Sequence, residues 1–353
     1  MNTYQICILL LVGSTLSLDI NAVNLVSFPY SRLSYSDPRA ALALEQVKNT
    51  GANYVNIPVT FFQDFKNSTY SYNAANPFIT ESGVNETPSE KDITHIITKA
   101  NELGLKVILQ FHALINQPNW PDSRIIGDDF APKNAEWWVK RYTENAMPYV
   151  KIAAKLGVDT ISLGHNFFTV GHYEFDWKKM AARIREEFKG KLTYSAASGD
   201  EDRQTGFWEA LDYVGVFPKF KATTTDGLKQ EVAEFVRVLT YMNKLWKLPV
   251  IVTRVAACNL YGGISQSDLF RTVYNNVKGL SFVKGIVFGD WIADILYKED
   301  ESFNVQGGDK TSANPTGRVR AVITPRLPAD GASAPAADTS GVLKPSPALG
   351  ERR

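Results

Sequence analysis

One stretch of the sequence decides the fold: Ser89-Glu-Lys-Asp-Ile-Thr-His-Ile-Ile-Thr-Lys-Ala-Asn-Glu-Leu-Gly-Leu-Lys-Val-Ile-Leu-Gln-Phe111. Its first part places apolar side chains at positions i, i+3, i+4 and i+7, starting from Ile93, and Ser89 is suited to cap the resulting helix. Gly104 then ends the helix, as glycines often do, and the β-rich run Leu105–Phe111 follows directly. The stretch therefore predicts a helix that leads straight into a buried strand.

Short β-rich runs of this kind recur eight times, with helical stretches between them. The runs are Val23–Phe28, Asn53–Val59, Leu105–Phe111, Val158–Gly164, Lys191–Ser195, Asp212–Phe217, Pro249–Thr253 and Val283–Phe288. Such alternation indicates parallel pairing, and eight units close into a barrel, so we predict a single α/β domain with the (β/α)₈ TIM-barrel fold. A doubly wound open sheet fits less well, because no Gly-rich phosphate-binding stretch follows the first run.

The two ends of the chain predict a secreted protein with a disordered tail. Ile6–Val12 is an apolar run too short to cross a bilayer, and small residues at Thr15 and Ser17 suit a cleavage site. We interpret residues 1–17 as a signal peptide, although no Lys or Arg precedes the apolar run. The alternative is that these residues form the buried first helix or strand of a cytosolic protein. Residues 307–353 are rich in Pro, Ala, Ser and Gly, which leaves 18–306 for the barrel.

Surface chemistry agrees with an extracellular location. Asn67 and Asn85 each begin an N-glycosylation sequon in a polar stretch. Cys7 would leave with the signal peptide, so Cys258 would remain alone and no internal disulfide could form. The formal net charge of +1 provides no global field for nucleic acid or anionic membrane, and no run is long enough to span a membrane.

Several segments resemble the β-mannanases known as glycoside hydrolase family 113, within the retaining clan of (β/α)₈ glycosidases. The segments that carry the resemblance are Thr50–Ile57, Thr87–Ile93, Leu103–His112, Trp137, Tyr142, Leu163-Gly164, Leu192–Ser195, Leu211–Gly215 and Pro249–Thr253. The resemblance covers about residues 20 to 295. The resemblance implies a barrel enzyme that hydrolyses the O-glycosidic bonds of mannan-like substrates and needs no cofactor.

The implied chemistry requires two carboxylates about 5 Å apart, one as acid/base and one as nucleophile. By resemblance, the acid/base Glu follows strand four in a Gly-x-Glu sequence, and the nucleophile Glu ends strand seven after a Thr. This chain has Asn166 and Arg254 at those positions. Neither side chain can perform the step that its position requires. We therefore expect a pseudo-glycosidase that binds carbohydrate or a protein partner through the barrel mouth.

Two alternatives stay open. An active, mannanase-like endo-glycosidase could use relocated carboxylates, with Glu174, Asp176 and Asp290 as candidates beside the acidic cluster 200–202. The barrel could also be a structural extracellular scaffold. In every case an inward-facing Arg254 needs a partner, and we expect Asp290, Glu174, another loop acid or an anionic ligand.

Ligand-binding candidates follow the strand ends, where barrel sites form. They are Tyr30, His112, Trp120, His165, Tyr194, Lys219 and Trp291. Aromatic rings suit pyranose faces, with plain packing as the alternative. Packing is the expected role for four further tryptophans, Trp137, Trp138, Trp208 and Trp246.

Three histidines lie near strand ends: His112, His165 and His172. A metal site would need ligand spacing that the sequence lacks, so we expect them to form hydrogen bonds and expect no metal. Arg254, Lys219 and His165 would make the mouth more positive than a neutral mannan requires. A carbohydrate ligand could therefore carry uronate or sulfate groups.

Overall fold

The computed structural model describes residues 18–27, 34–73, 78–80, 83–115, 131–256 and 264–292, with the backbone alone for 78–80, 83–85 and 290–292. Its strands are β1 (Ile20–Val26), β2 (Tyr54–Gln63), β3 (Phe78–Thr80), β4 (Gly83–Asn85), β5 (Lys106–Ile115), β6 (Thr160–His165), β7 (Lys191–Ala197), β8 (Val214–Phe217), β9 (Val250–Val255) and β10 (Val283–Ile292). Its helices are α1 (Pro38–Asn49), α2 (Glu90–Glu102), α3 (Ala135–Lys155), α4 (Glu174–Glu187), α5 (Glu201–Gln204), α6 (Thr225–Trp246) and α7 (Gln266–Val277), with a 3₁₀ turn at Trp208–Ala210.

Eight of these strands form a closed parallel barrel in the order β1-β10-β9-β8-β7-β6-β5-β2. Each predicted β-rich run overlaps one barrel strand, so the predicted (β/α)₈ fold is confirmed. The antiparallel hairpin β3-β4 lies in the connection from β2 to α2 and was not predicted. The predicted signal peptide and tail lie outside the described residues. Within the described ranges, no helix is long and apolar enough to cross a membrane.

The helix ends follow their local sequence. Ser89 caps α2 through its side chain, which accepts a hydrogen bond from the backbone N–H of Asp92, and the Asp92 carboxylate accepts one from the Ser89 N–H. This reciprocal capping satisfies two N–H groups that the helix itself cannot pair. Gly104 and Gly157 follow α2 and α3 with φ of +67° and +68°, which confirms their predicted role as C-terminal glycines.

The barrel interior is layered along the strands. Its lower layer is apolar and consists of Ile20, Ala22, Tyr54, Ile108, Ile251 and Val287. Two residues further along their strands, Asn24, Asn56 and Gln110 form an amide layer. In this layer the Nδ2 of Asn56 donates to the Oδ1 of Asn24 at 2.6 Å and to the Oε1 of Gln110 at 2.9 Å. Because side chains alternate along a strand, the next inward positions belong to the carboxyl end of the barrel.

Tryptophan packing matches the prediction at three of four positions. Trp138 and Trp208 are fully buried, and Trp246 packs against the core. The prediction was wrong for Trp137, which is 44% exposed on α3 with the Nζ of Lys140 lying 4.9 Å from its ring centroid. Trp137 and Trp138 are adjacent on one helix, so only one of them can face the barrel.

Candidate functional site

The strands β6 and β9 each contain a β-bulge near the carboxyl end, where the candidate residues lie. Between the pairs Ser162–Thr193 and His165–Ser195, β6 has one residue more than β7. Between the pairs Val252–Ile286 and Val255–Phe288, β9 likewise has one residue more than β10. An extra residue bends a strand and changes the direction of the side chains that follow it. The two bulges therefore set the orientation of His165, Asn166 and Arg254.

His165 is the last residue of β6 and is buried at the carboxyl end of the barrel. Its ring stacks on Phe217 with the centroids 4.5 Å apart, and the ring of His112 meets it edge-on at 5.4 Å. The Nδ1 of His165 lies 2.8 Å from the Oγ of Ser195, and that Oγ lies 2.6 Å from the Oγ1 of Thr253. A hydrogen bond and ring contacts thus fix the imidazole of His165, as expected for this histidine.

Basic groups surround this imidazole. Burial holds the pKa of His165 well below its ordinary value of 6.5, and the positive charges of His112, Arg254 and Lys219 lower it further. The imidazole of His165 is therefore neutral at neutral pH. Lys219 is exposed two residues after β8, and Arg254 is partly buried within β9.

Asn166 follows β6 in an uncommon backbone conformation. Its φ is +56°, in the left-handed region, where Asn is among the few residues tolerated without large strain. Its N–H donates to the Ser195 carbonyl at 2.9 Å, and its side chain is buried. Gly164 permits this turn, because a Cβ there would come within 2.6 Å of the Phe167 ring and 2.9 Å of the Tyr194 ring.

A buried Tyr–Glu pair supports the turn from behind. The Tyr194 hydroxyl accepts a hydrogen bond from the Phe167 N–H at 2.9 Å and donates one to the Oε1 of Glu201. The Oε2 of Glu201 accepts from the Ala197 N–H at 2.7 Å. Burial raises the pKa of Glu201 to about 7, although these hydrogen bonds and the charge of Lys219 oppose the rise. Tyr194 is fully buried, so it could influence a ligand only through this turn.

The fallback acids have other partners. Glu174 forms an ion pair with Lys178, which also binds Glu209, and the carboxylate of Asp176 lies 3.6 Å from the Nζ of Lys179. These contacts hold both acids at the first turn of α4. Arg254 takes part in further polar or electrostatic interactions. Its expected acidic partner stays a prediction.

Several candidates lie outside the described part of the chain. They are Tyr30 and Trp120, the side chains of Asp290 and Trp291, and the side chain of Asn85. Asn67 is exposed on the turn after β2, where a sequon asparagine would be accessible. Among the described residues, no group of three or more His, Cys, Asp or Glu side chains could hold a metal ion.

Sequence reasoning missed two residues that shape the mouth, Phe217 and Ser195. Both end predicted strands, and the alternation of inward and outward side chains could have identified them. Sequence reasoning also treated Glu201 only as one member of the acidic cluster 200–202. Glu201 is 1% exposed whereas the adjacent Asp200 is exposed, a difference that the acidic run itself does not indicate.

Comparison with known proteins agrees with this geometry. A sequence model of Glycoside Hydrolase Family 113 matches residues 26–307. A solved family 113 β-1,4-mannanase in a complex has a TM-score of 0.60 at 18% identity, covering 78% of this chain and 89% of that chain. The family 113 β-mannanase from Alicyclobacillus acidocaldarius, in complex with ManMIm, has a TM-score of 0.62 at 17% identity, covering 79% and 90%.

One curated protein outside that family is also similar. The thiamine-phosphate synthase of Staphylococcus saprophyticus is 23% identical over 221 residues, which are 61% of this chain and 90% of that protein. This identity is too low to show membership of the synthase's family. The family 113 model covers most of the chain, from Val26 at the end of β1 through the other seven barrel strands. The chain belongs to glycoside hydrolase family 113.

Proposed function

We propose that this protein is a secreted glycan-binding barrel that does not hydrolyse glycosidic bonds. The observation that carries the proposal is the identity of the residues at the ends of β6 and β9, Asn166 and Arg254. A retaining glycosidase needs a carboxylic acid to protonate the leaving oxygen and a carboxylate to attack the anomeric carbon. An amide has no proton to give at useful pKa, and a guanidinium cannot form the glycosyl ester.

Relocated acids are poor replacements in the described part of the structure. Glu174 and Asp176 each pair with a lysine of their own helix at its first turns. Glu201 is 1% exposed and bonded to the Tyr194 hydroxyl and the Ala197 N–H. A nucleophile must approach the anomeric carbon in line and within about 3–3.5 Å, which a carboxyl enclosed in this way does not allow.

The binding part of the proposal rests on the rings and polar groups of the mouth. His165 and Phe217 form a stacked pair at the carboxyl end of the barrel, which is where such barrels bind ligands. Family membership makes a carbohydrate the favoured ligand class, although a shared fold does not by itself fix function. Secretion is supported by the apolar run before residue 17 and by the exposed sequon at Asn67.

Binding and turnover can be measured on the same purified chain. We expect titration calorimetry to detect binding of glycans from a mixed panel, with no release of reducing ends on long incubation. Phe217→Ala should weaken binding, because it removes the ring that supports His165. Phe175→Ala is the matched control, since Phe175 is 69% exposed on α4. Binding of no glycan would favour the scaffold alternative, and release of reducing ends would favour the hydrolase.

A further inference from the structure

The turn that follows β2 carries an exposed sequon beside an exposed aromatic ring. The segment Phe65-Lys-Asn-Ser-Thr69 contains the sequon that begins at Asn67; Phe65 is 59% exposed, and Asn67 is exposed as well. We propose that Asn67 carries an N-linked glycan and that the first sugar of this glycan packs on the ring of Phe65. The inference rests on the secretion that the proposed function includes, and it is independent of what the barrel mouth binds.

Hydrogen bonds hold the backbone of this turn in one shape. The Ser68 N–H donates to the Phe65 carbonyl at 3.1 Å, and the Phe65 N–H donates to the Oγ of Ser68 at 3.0 Å. The Asn67 carbonyl accepts from the Lys133 N–H at 3.3 Å, which ties the turn to the segment before α3. The ring and the acceptor asparagine therefore stand on a backbone that is ordered before a sugar is attached, so packing the sugar costs little further freedom.

Phe65 and Asn67 are close enough for one sugar to contact both. They are two residues apart, so their Cα atoms are separated by at most about 7 Å. The first sugar is bonded directly to the Asn67 side chain, and a pyranose has C–H groups that pack well on the electron-rich face of an aromatic ring. Single exposed apolar rings are common on protein surfaces. The position of this ring, two residues before an exposed acceptor on a fixed turn, is what supports the inference.

The modification transfers an oligosaccharide from a lipid diphosphate carrier to the side-chain amide. The Nδ2 of Asn67 forms a bond to C1 of the first sugar and releases one of its two protons to a base of the transferring enzyme. The bond between C1 and the diphosphate oxygen breaks, and the lipid diphosphate leaves with that electron pair. Thr69, which is partly exposed, provides the hydroxyl that completes the sequon.

The first experiment tests whether Asn67 is modified. The full chain is expressed in secreting eukaryotic cells, behind its own residues 1–17 and, in parallel, behind a foreign signal peptide. Mass spectrometry is done in an Asn85→Gln background, where Asn67 begins the remaining sequon. We expect one glycan on this chain and none after Asn67→Gln or Thr69→Ala. Thr69→Ser should keep the glycan, because the hydroxyl remains.

The second experiment tests whether the first sugar packs on Phe65. The high-mannose glycoprotein is either trimmed to its first sugar by an endoglycosidase or freed of all sugar by an amidase, and thermal unfolding is then measured. We expect complete removal to lower the Tm of wild type by about 2 °C, the shift that one ring contact gives in a domain of this size, and trimming to leave it unchanged.

Two variants show whether this shift depends on the ring. Phe65→Ala should have the same Tm with the full glycan, with one sugar and with none. Phe175→Ala is the matched control, since Phe175 is 69% exposed on α4, and it should keep the wild-type difference. The amidase leaves Asp at position 67 in every variant, so the added charge is common to all of them.

The outcomes separate this inference from the proposed function. A glycan on Asn67 and a loss of Tm that depends on Phe65 support the inference. A secreted chain without sugar on Asn67, or an equal loss of Tm in wild type and Phe65→Ala, overturns the inference and leaves the proposed function standing. A chain that is secreted and glycosylated only behind the foreign signal peptide supports the site at Asn67 and overturns the secretion that we propose.

Discussion

The imidazole of His165 stacks on the ring of Phe217, with the centroids 4.5 Å apart and the planes 28° from parallel. This contact joins the ends of β6 and β8, and the hydrogen bond to Ser195 joins β7 to the same group. One neutral, buried imidazole therefore ties three strand ends together beside Asn166. Its protonation should affect both the fold and the ligand site.

The first prediction concerns acid stability. The folded-state pKa of His165 lies below the value of 6.5 expected for an unfolded chain, so the unfolded state binds the proton more readily. The stability from this residue is complete above about pH 6.5 and falls as the pH drops toward the folded-state pKa, by up to about 1.4 kcal/mol per pH unit. His165→Gln should reduce the loss of unfolding free energy between pH 7 and pH 5, measured by urea unfolding. His172→Gln, at an exposed histidine, should behave as wild type; equal pH dependence in both variants would contradict the prediction.

Glu201 should have the opposite pH dependence. Its folded-state pKa is raised from 4.5 to about 7, so the folded state binds the proton more readily in that window. The contribution of Glu201 therefore falls as the pH rises from about 4.5 to about 7, by on the order of 2–3 kcal/mol. Glu201→Gln mimics the protonated form and should stabilise the protein at pH 8 relative to wild type, with little effect at pH 5. Asp200→Asn is the control, because Asp200 is exposed and makes no capping hydrogen bond. If Glu201→Gln is less stable than wild type at pH 8, the ionised carboxylate stabilises the fold and the prediction is wrong.

Gly215 gives a test of the packing beneath the site. A Cβ at this position would lie 2.1 Å from the Tyr194 carbonyl oxygen and 2.7 Å from the Cγ2 of Thr253. Gly215→Ala must therefore move β7 or β9, and we expect a loss of about 1–3 kcal/mol or more of unfolding free energy. The control is Gly279→Ala, since a Cβ at Gly279 would meet no atom within 4 Å. Equal stability of the two variants would mean that the barrel interior is looser than this geometry requires.

The sequence alone predicts the fold well, because the fold depends on local patterns. The helical spacing after Ser89 and the positive-φ positions Gly104 and Gly157 can be read within a few residues. The ion pair between Glu174 and Lys178 could also have been predicted, because Glu followed by Lys four residues later is a favourable helical pair.

The site is harder to predict, because its contacts join distant parts of the chain. His165 and Phe217 are 52 residues apart and meet only after the barrel closes. The bulges in β6 and β9 follow from register across the sheet, which no single strand sequence reveals. Candidate positions were therefore predictable, whereas their partners and charge states were not.

The central claim is that Asn166 and Arg254 leave this barrel unable to hydrolyse glycosides. The most direct measurement is the release of reducing ends from manno-oligosaccharides and a mixed glycan panel by purified wild type and by the Asn166→Glu, Arg254→Glu double variant. The account predicts no release by wild type and measurable release by the double variant, because the two carboxylates that a retaining mechanism requires would then stand at the ends of β6 and β9. Release of reducing ends by wild type would contradict the account and return attention to Glu174, Asp176 and Asp290.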